Sequence, residues 1–152
     1  MQALIDLANK IKRLSVNDLM RVLSEDKTFT DYIIELNTKR QLFDKGIDST
    51  GRKLSDIGGE YAPFTLQLHP EKIKDRITLF DTGDFYNSFR VYLDSQSDLK
   101  ITADTIKDTS DLIADWGKDI LGLTEDSLEK LRLKAKFILI PYIKNKILSN
   151  GE

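Results

Sequence analysis

FRVYLDSQSDLKITA, residues 89–103, decides the fold class. Phe89, Val91 and Leu93 alternate with Arg90 and Tyr92, and after the turn-rich DSQSD the alternation resumes at Leu99, Ile101 and Ala103. A period of two marks a strand with one buried face, and two such runs joined by a polar turn predict a β-hairpin. Just upstream, Ile77, Leu79 and Phe80 predict one further short strand before DTGDFYNSF. On both sides of this small sheet the apolar spacing changes to that of helices.

Upstream, Leu4, Leu7, Ala8, Ile11 and Leu14 follow the three-and-four spacing of a helix with one buried face. Ser15 and Asn17 are candidate caps for a second, short helix carrying Val16, Leu19, Met20 and Leu23. A third is expected to start at Thr28, with Asp31 three residues on, to turn Phe29, Tyr32, Ile33, Leu36 and Phe43 to one side, and to end at Gly46.

Downstream, Asp104–Gly117 reads as helical at least in part through Ile106, Leu112, Ile113 and Trp116, and Ile120, Leu121 and Leu123 form an apolar link. Thr124 is the candidate cap of a long last helix, in which Leu128, Leu131, Ala135, Ile138 and Tyr142 step by three and four. Leu133, Phe137, Ile140, Ile147 and Leu148 cover its other faces, which predicts burial on several sides by its own domain or a neighbour. Pro141 removes one backbone donor and predicts a kink. The expectation is one α+β domain over residues 1–152: N-terminal helices, a small antiparallel sheet with a hairpin, and a long C-terminal helix.

Residues 47–74 interrupt this regularity. They hold three of the eight glycines and two of the three prolines, a long stretch with no helical or hairpin pattern. Loops beyond roughly 12–15 residues tend to be functional or disordered. Tyr61, Phe64, Leu66 and Leu68 are more apolar than a solvated linker needs. Two readings stay open: a segment folded over its own core, or an arm ordered against another subunit.

Composition narrows the chemistry. The 152 residues are 40% hydrophobic and 32% charged, with a formal net charge of −2, so no chain-wide basic excess draws the protein to nucleic acid or anionic membrane. No cysteine excludes disulfides, thiolate metal sites and cysteine nucleophiles, and the single histidine, His69, excludes a histidine metal cluster. No cofactor and no metal are expected. MQALIDLANKIKRL has no continuous apolar core like that of a signal peptide, and the longest apolar run, Phe137–Pro141, is too short for a bilayer. These features predict a protein kept in a cytoplasm or in something assembled there, without a membrane partner.

Asp81-Thr82-Gly83 is the one string that resembles a catalytic motif, the turn with which a dimeric aspartic protease would pair two carboxylates. Asp84 follows where a small residue belongs, and a further carboxylate disturbs a shared-proton pair. The better reading is that Asp81 or Thr82 caps a short helix containing Phe85, Tyr86 and Phe89, with Gly83 in the turn. His69 with Ser55 lacks a nucleophile-elbow signature, and GIDSTG fits neither a phosphate loop nor a calcium loop. No catalytic residue is assigned. Lys130, Arg132, Lys134 and Lys136, joined by Lys144 and Lys146, read as a solvated helix face, with contact to packaged DNA a minor alternative.

Read as a whole, the centre of the chain has a family likeness. Arg40-Gln41-Leu42-Phe43, Gly46-Ile47-Asp48, Gly51-Arg52-Lys53-Leu54 and Tyr61-Ala62-Pro63-Phe64-Thr65 are followed by Ile77 to Phe89, in which Thr82-Gly83, Phe85 and Ser88 occupy a closing Thr-Gly layout. Over about residues 36–103 this order resembles phage virion-morphogenesis and tail-completion proteins, with Leu54 where a Trp is common and the basic residue expected soon after Thr65 displaced to Lys72 or Lys74. The resemblance implies a small, non-enzymatic α+β virion protein. It would form a homo-oligomeric ring or connector at the head–tail junction or tail end, assembled in the bacterial host cytoplasm against connector or tail-tube subunits. Candidate assembly contacts are Tyr61, Phe64, Leu66, Leu68, Phe137, Ile140 and Ile147. A non-viral adaptor that binds one partner through 47–74 is the alternative.

Overall fold

Three helices open the chain in the computed structural model, which describes residues 1–72, 75–107 and 110–149. Helix α1 spans Gln2–Lys12, α2 Val16–Glu25 and α3 Lys27–Glu35. Ser15 caps α2 as expected, its hydroxyl accepting from the Asp18 N–H at 3.1 Å. The cap of α3 is Asp26 rather than Thr28: its carboxylate accepts from the Phe29 N–H at 2.9 Å, and the Thr28 hydroxyl donates to that same carboxylate at 2.6 Å. An anion there gains from the helix dipole as well as from the capping bond.

Beyond Glu35, α3 widens into a π-helix, Leu36–Lys45. The wider turn brings Leu36, Asn37, Thr38, Gln41 and Leu42 all into the interior. Most π-helical segments are single-turn bulges, often at functional positions. Gly46 ends the helix in the left-handed region at φ 61°, and a Cβ there would meet the Ile77 carbonyl oxygen at 2.8 Å. Glycine answers both demands.

The hairpin forms as expected. Strand β1, Arg90–Leu93, pairs antiparallel with β2, Leu99–Thr102, with Val91 opposite Ile101 and Leu93 opposite Leu99 on the inner side. The Asp94 carboxylate holds the turn by accepting from the N–H groups of Gln96 and Asp98, each at 2.9 Å. A second ladder pairs β3, Ile106–Lys107, with β4, Ser110–Asp111. It occupies ground where a helix was expected, and helix α7 starts only at Leu112 and runs to Trp116. Asp111 sets that start by accepting from the Ile113 N–H at 2.9 Å. The strand expected at Ile77–Phe80 is not formed: Leu79 takes a left-handed φ of 57°, which breaks the extended run while Ile77 and Thr78 stay buried.

Two further helices lie in the 47–74 region, α4 at Ser55–Gly58 and α5 at Pro63–Leu68, and α6 follows at Asp84–Asn87. A 3₁₀ turn, Lys118–Ile120, leads to α8, Glu125–Ser149, which continues through Pro141. The Thr124 hydroxyl accepts from the Ser127 N–H at 3.3 Å at the entry to α8.

Two apolar clusters organise these elements. Leu42, Leu54, Ile77, Phe85, Phe89, Leu112 and Ile120 form one. Leu23, Phe29 and Ile33 form the other, covered by Leu131, Ala135, Ile138 and Leu139 of α8. Ile101 of the hairpin borders both. Between the clusters, the buried amides of the π-helix grip the strap that enters α8. Asn37 Nδ2 donates to the Ile120 carbonyl at 3.0 Å, and its Oδ1 accepts from the Gly122 N–H at 2.8 Å. Gln41 Nε2 donates to the Gly122 carbonyl and its Oε1 accepts from the Thr124 N–H, both at 2.9 Å. Among the described residues no buried side-chain polar atom lacks a partner.

Candidate assembly surface

The 47–74 segment divides into a packed half and an exposed half, with Lys74 outside the described residues. Ile47 bridges Lys53, and between them the buried Asp48 carboxylate accepts from the N–H groups of Thr50 at 2.9 Å and Arg52 at 3.0 Å. Leu54 is fully buried in the first cluster. Tyr61, expected to serve assembly, packs against that same cluster: its ring lies under Lys72 Nζ at 5.4 Å and its hydroxyl accepts from the Thr78 N–H at 3.5 Å. Tyr61 is thus half-buried on its own core. Leu66 is half-buried. Phe64 and Leu68 of α5 are 68% and 60% exposed, so among the described residues the exposed large apolar side chains of the segment are theirs.

Helix α8 shows the same division. Its inner side covers the second cluster, yet Phe137 is 80% and Leu148 74% exposed, with Leu133 and Ile140 also open to solvent. Of the several sides expected to be buried by its own domain or a neighbour, the outer one is left uncovered by the described residues. Ile147 is half-buried beneath α1, and its carbonyl accepts from Lys10 Nζ at 3.1 Å. Helix α1, expected to bury one face, has no buried residue, and its Leu4, Ile5 and Ile11 extend the apolar surface.

The Asp-Thr-Gly turn leads into α6, whose N-cap is Gly83 with no side-chain capping bond rather than Asp81 or Thr82 as expected. Asp81 is exposed, 3.6 Å from Lys72 Nζ. The Thr82 hydroxyl donates to the Asp84 carboxylate at 2.6 Å and accepts from its N–H at 3.4 Å, while Gly83 takes φ 94°. The short helix that follows contains Phe85 and Tyr86 but ends before Phe89. The Tyr86 hydroxyl donates to the Thr78 carbonyl, and burial pushes its phenol well above the ordinary tyrosine range. His69 is exposed, with Nδ1 3.0 Å from the Glu71 carboxylate rather than on Ser55. Among the described residues no group of three or more acidic or histidine side chains is placed to hold a metal ion, and no helix is long and apolar enough to cross a membrane.

Sequence reasoning missed the amide clamp of Asn37 and Gln41. Their i,i+4 spacing beside apolar Leu36 and Leu42 was the available signal, since two amides on an inward face need partners from elsewhere. Comparison with models of known protein families, with curated proteins and with solved structures finds no match to this chain.

Proposed function

We propose that this chain is a non-catalytic structural protein of a tailed phage or prophage virion, forming a ring or connector at the head–tail junction or tail end. The observation that carries the reading is the paired apolar surface left open by a well-packed molecule: Phe64 and Leu68 on α5, and Phe137, Ile140 and Leu148 on α8. Large apolar side chains clustered in solvent mark interaction sites. Two separate surfaces suit the head-to-tail contacts from which rings close. The resemblance over residues 36–103 supplies the class of assembly. Its partners in this reading are further copies of itself and adjoining connector or tail-tube subunits.

The test is genetic. Deleting the coding gene from its phage or prophage should leave heads and tails that fail to become infectious particles, with the protein supplied in trans restoring the titre. An undiminished titre from the deletion overturns the reading. Flanking portal, capsid or tail genes would support it.

A further inference from the structure

The outer side of α8 carries a pattern of its own. Leu133, Phe137, Ile140, Lys144 and Leu148 recur at steps of four, three, four and four, and all five are exposed. Near-alternation of three and four is the spacing of a seam that another helix or a flat apolar surface covers. Within this chain the seam remains in solvent among the described residues, because the helix already uses its opposite side, Leu131 to Leu139, on the second cluster.

Beyond Leu133 the charges around the seam have one sign, whereas at its start Arg132 pairs with Glu125 and Glu129 and Lys130 with Asp126. From Lys130 to Ser149 there are six basic residues and no acidic one, and residues 1–14 beneath the end of the helix add three basic against one acidic. Residues 15–129 hold fourteen basic and twenty-three acidic. Symmetric pairing of the seam with its own copy would bring Lys144, on the seam, and Lys136, beside it, toward like charges, which disfavours an isologous dimer. An acidic surface of another copy is the complementary match. One lies over the first cluster: a cleft of about 320 Å³ whose lining includes Asp81, Asp84, Asp104 and the 66% exposed Ile106, and which stays acidic on balance although Lys107 also lines it and Lys72 Nζ lies 3.6 Å from Asp81.

We infer that the outer seam of α8 docks on the acidic cleft of a second copy of this chain. The contact is heterologous, so it leaves each subunit with one used and one unused surface and propagates until rotation closes it. The inference rests on the ring reading above and gives the α8 surface its partner, leaving Phe64 and Leu68 of α5 outside this contact.

Sedimentation of the full chain over a concentration series tests it. The wild type should associate, and more weakly as salt rises. Phe137→Asp, at a solvent position, should stay monomeric with unchanged circular dichroism. Lys136→Glu/Lys144→Glu and Asp84→Lys/Asp104→Lys should each be monomeric alone and associate when mixed, because each then offers the other a matching surface. Association that survives Phe137→Asp overturns the inference and leaves the ring reading standing on another interface. A wild type that stays monomeric overturns it as well. If that monomer floats with phosphatidylglycerol vesicles and Phe137→Asp does not, the seam serves an anionic lipid surface instead. Loss of the ring reading itself is read separately, from the titre of the deletion.

Discussion

Trp116 lies with the far edge of its six-membered ring over Gly58, so close that a Cβ on that glycine would stand 2.7 Å from Cζ3. This contact joins α4 to α7 and pins the packed half of the 47–74 segment to the first core cluster. Gly58→Ala forces the indole outward, at a cost of about 1–3 kcal/mol typical of overpacking. Trp116 is the sole tryptophan, so its fluorescence reports the displacement directly. An unchanged emission maximum and unfolding midpoint would contradict the contact.

The two candidate aromatics of the segment should separate cleanly. Tyr61→Ala removes a ring packed on its own core and should lower stability by on the order of 1–2 kcal/mol. Phe64→Ala, at a solvent position, should leave the midpoint of the isolated chain unchanged and, on the virion role proposed above, reduce incorporation into particles. A destabilised Phe64→Ala monomer, or a Tyr61→Ala monomer as stable as wild type, would reverse the assignment.

The amide clamp is expected to be among the most sensitive sites. Asn37→Ala strips partners from the Ile120 carbonyl and the Gly122 N–H, and each buried backbone group left alone costs roughly 1–3 kcal/mol. Gln41→Ala does the same to the Gly122 carbonyl and the Thr124 N–H. Both residues hold one strap, so a double-mutant cycle should show the two losses to be non-additive. Denaturant unfolding of the two single variants and the double variant measures this.

Asp26 gives the fold an acid limit. The Thr28 hydroxyl, and after it the Phe29 N–H, hold its carboxylate below the ordinary range. A carboxylate depressed in the folded state stabilises fully above its unfolded value, near 4, and that contribution disappears as pH falls through the folded value. Asp26→Asn keeps a capping oxygen and should flatten this part of the stability profile below about pH 4. Asp26→Ala should cost about 0.5–2 kcal/mol at neutral pH. A wild-type profile identical to that of Asp26→Asn between neutral pH and the acid limb rules out the cap as the source.

Much of the architecture was legible in residue periodicity. The hairpin, the first two helices and α8 each carry a repeated apolar spacing, and repeated spacing is what a local reading detects. Gly46 was legible for a different reason, because a helix that must reverse at a left-handed residue selects glycine. The missed elements depend on distant partners. Asn37 and Gln41 find theirs more than eighty residues away, and Leu79 takes its left-handed turn between two buried stretches of the same core. At Tyr61, where the sequence left its own core and a neighbour both open, the structure shows packing on its own core. Apolar character marks a side chain for burial without saying whose surface will cover it.

The strap clamp also bears on the order of events in folding. Joining Asn37 to Ile120, and Gln41 to Thr124, closes loops of 83 residues each, whereas the hairpin and the individual helices close short ones. Chain entropy opposes long closures until the ends are already positioned, so local pieces assemble first and the clamp locks afterward. Bonds absent from the transition state act on the escape from the native basin. Variants at Asn37 and Gln41 should therefore speed unfolding several-fold while refolding from denaturant proceeds at nearly the wild-type rate, making the strap the latch that sets the lifetime of the subunit.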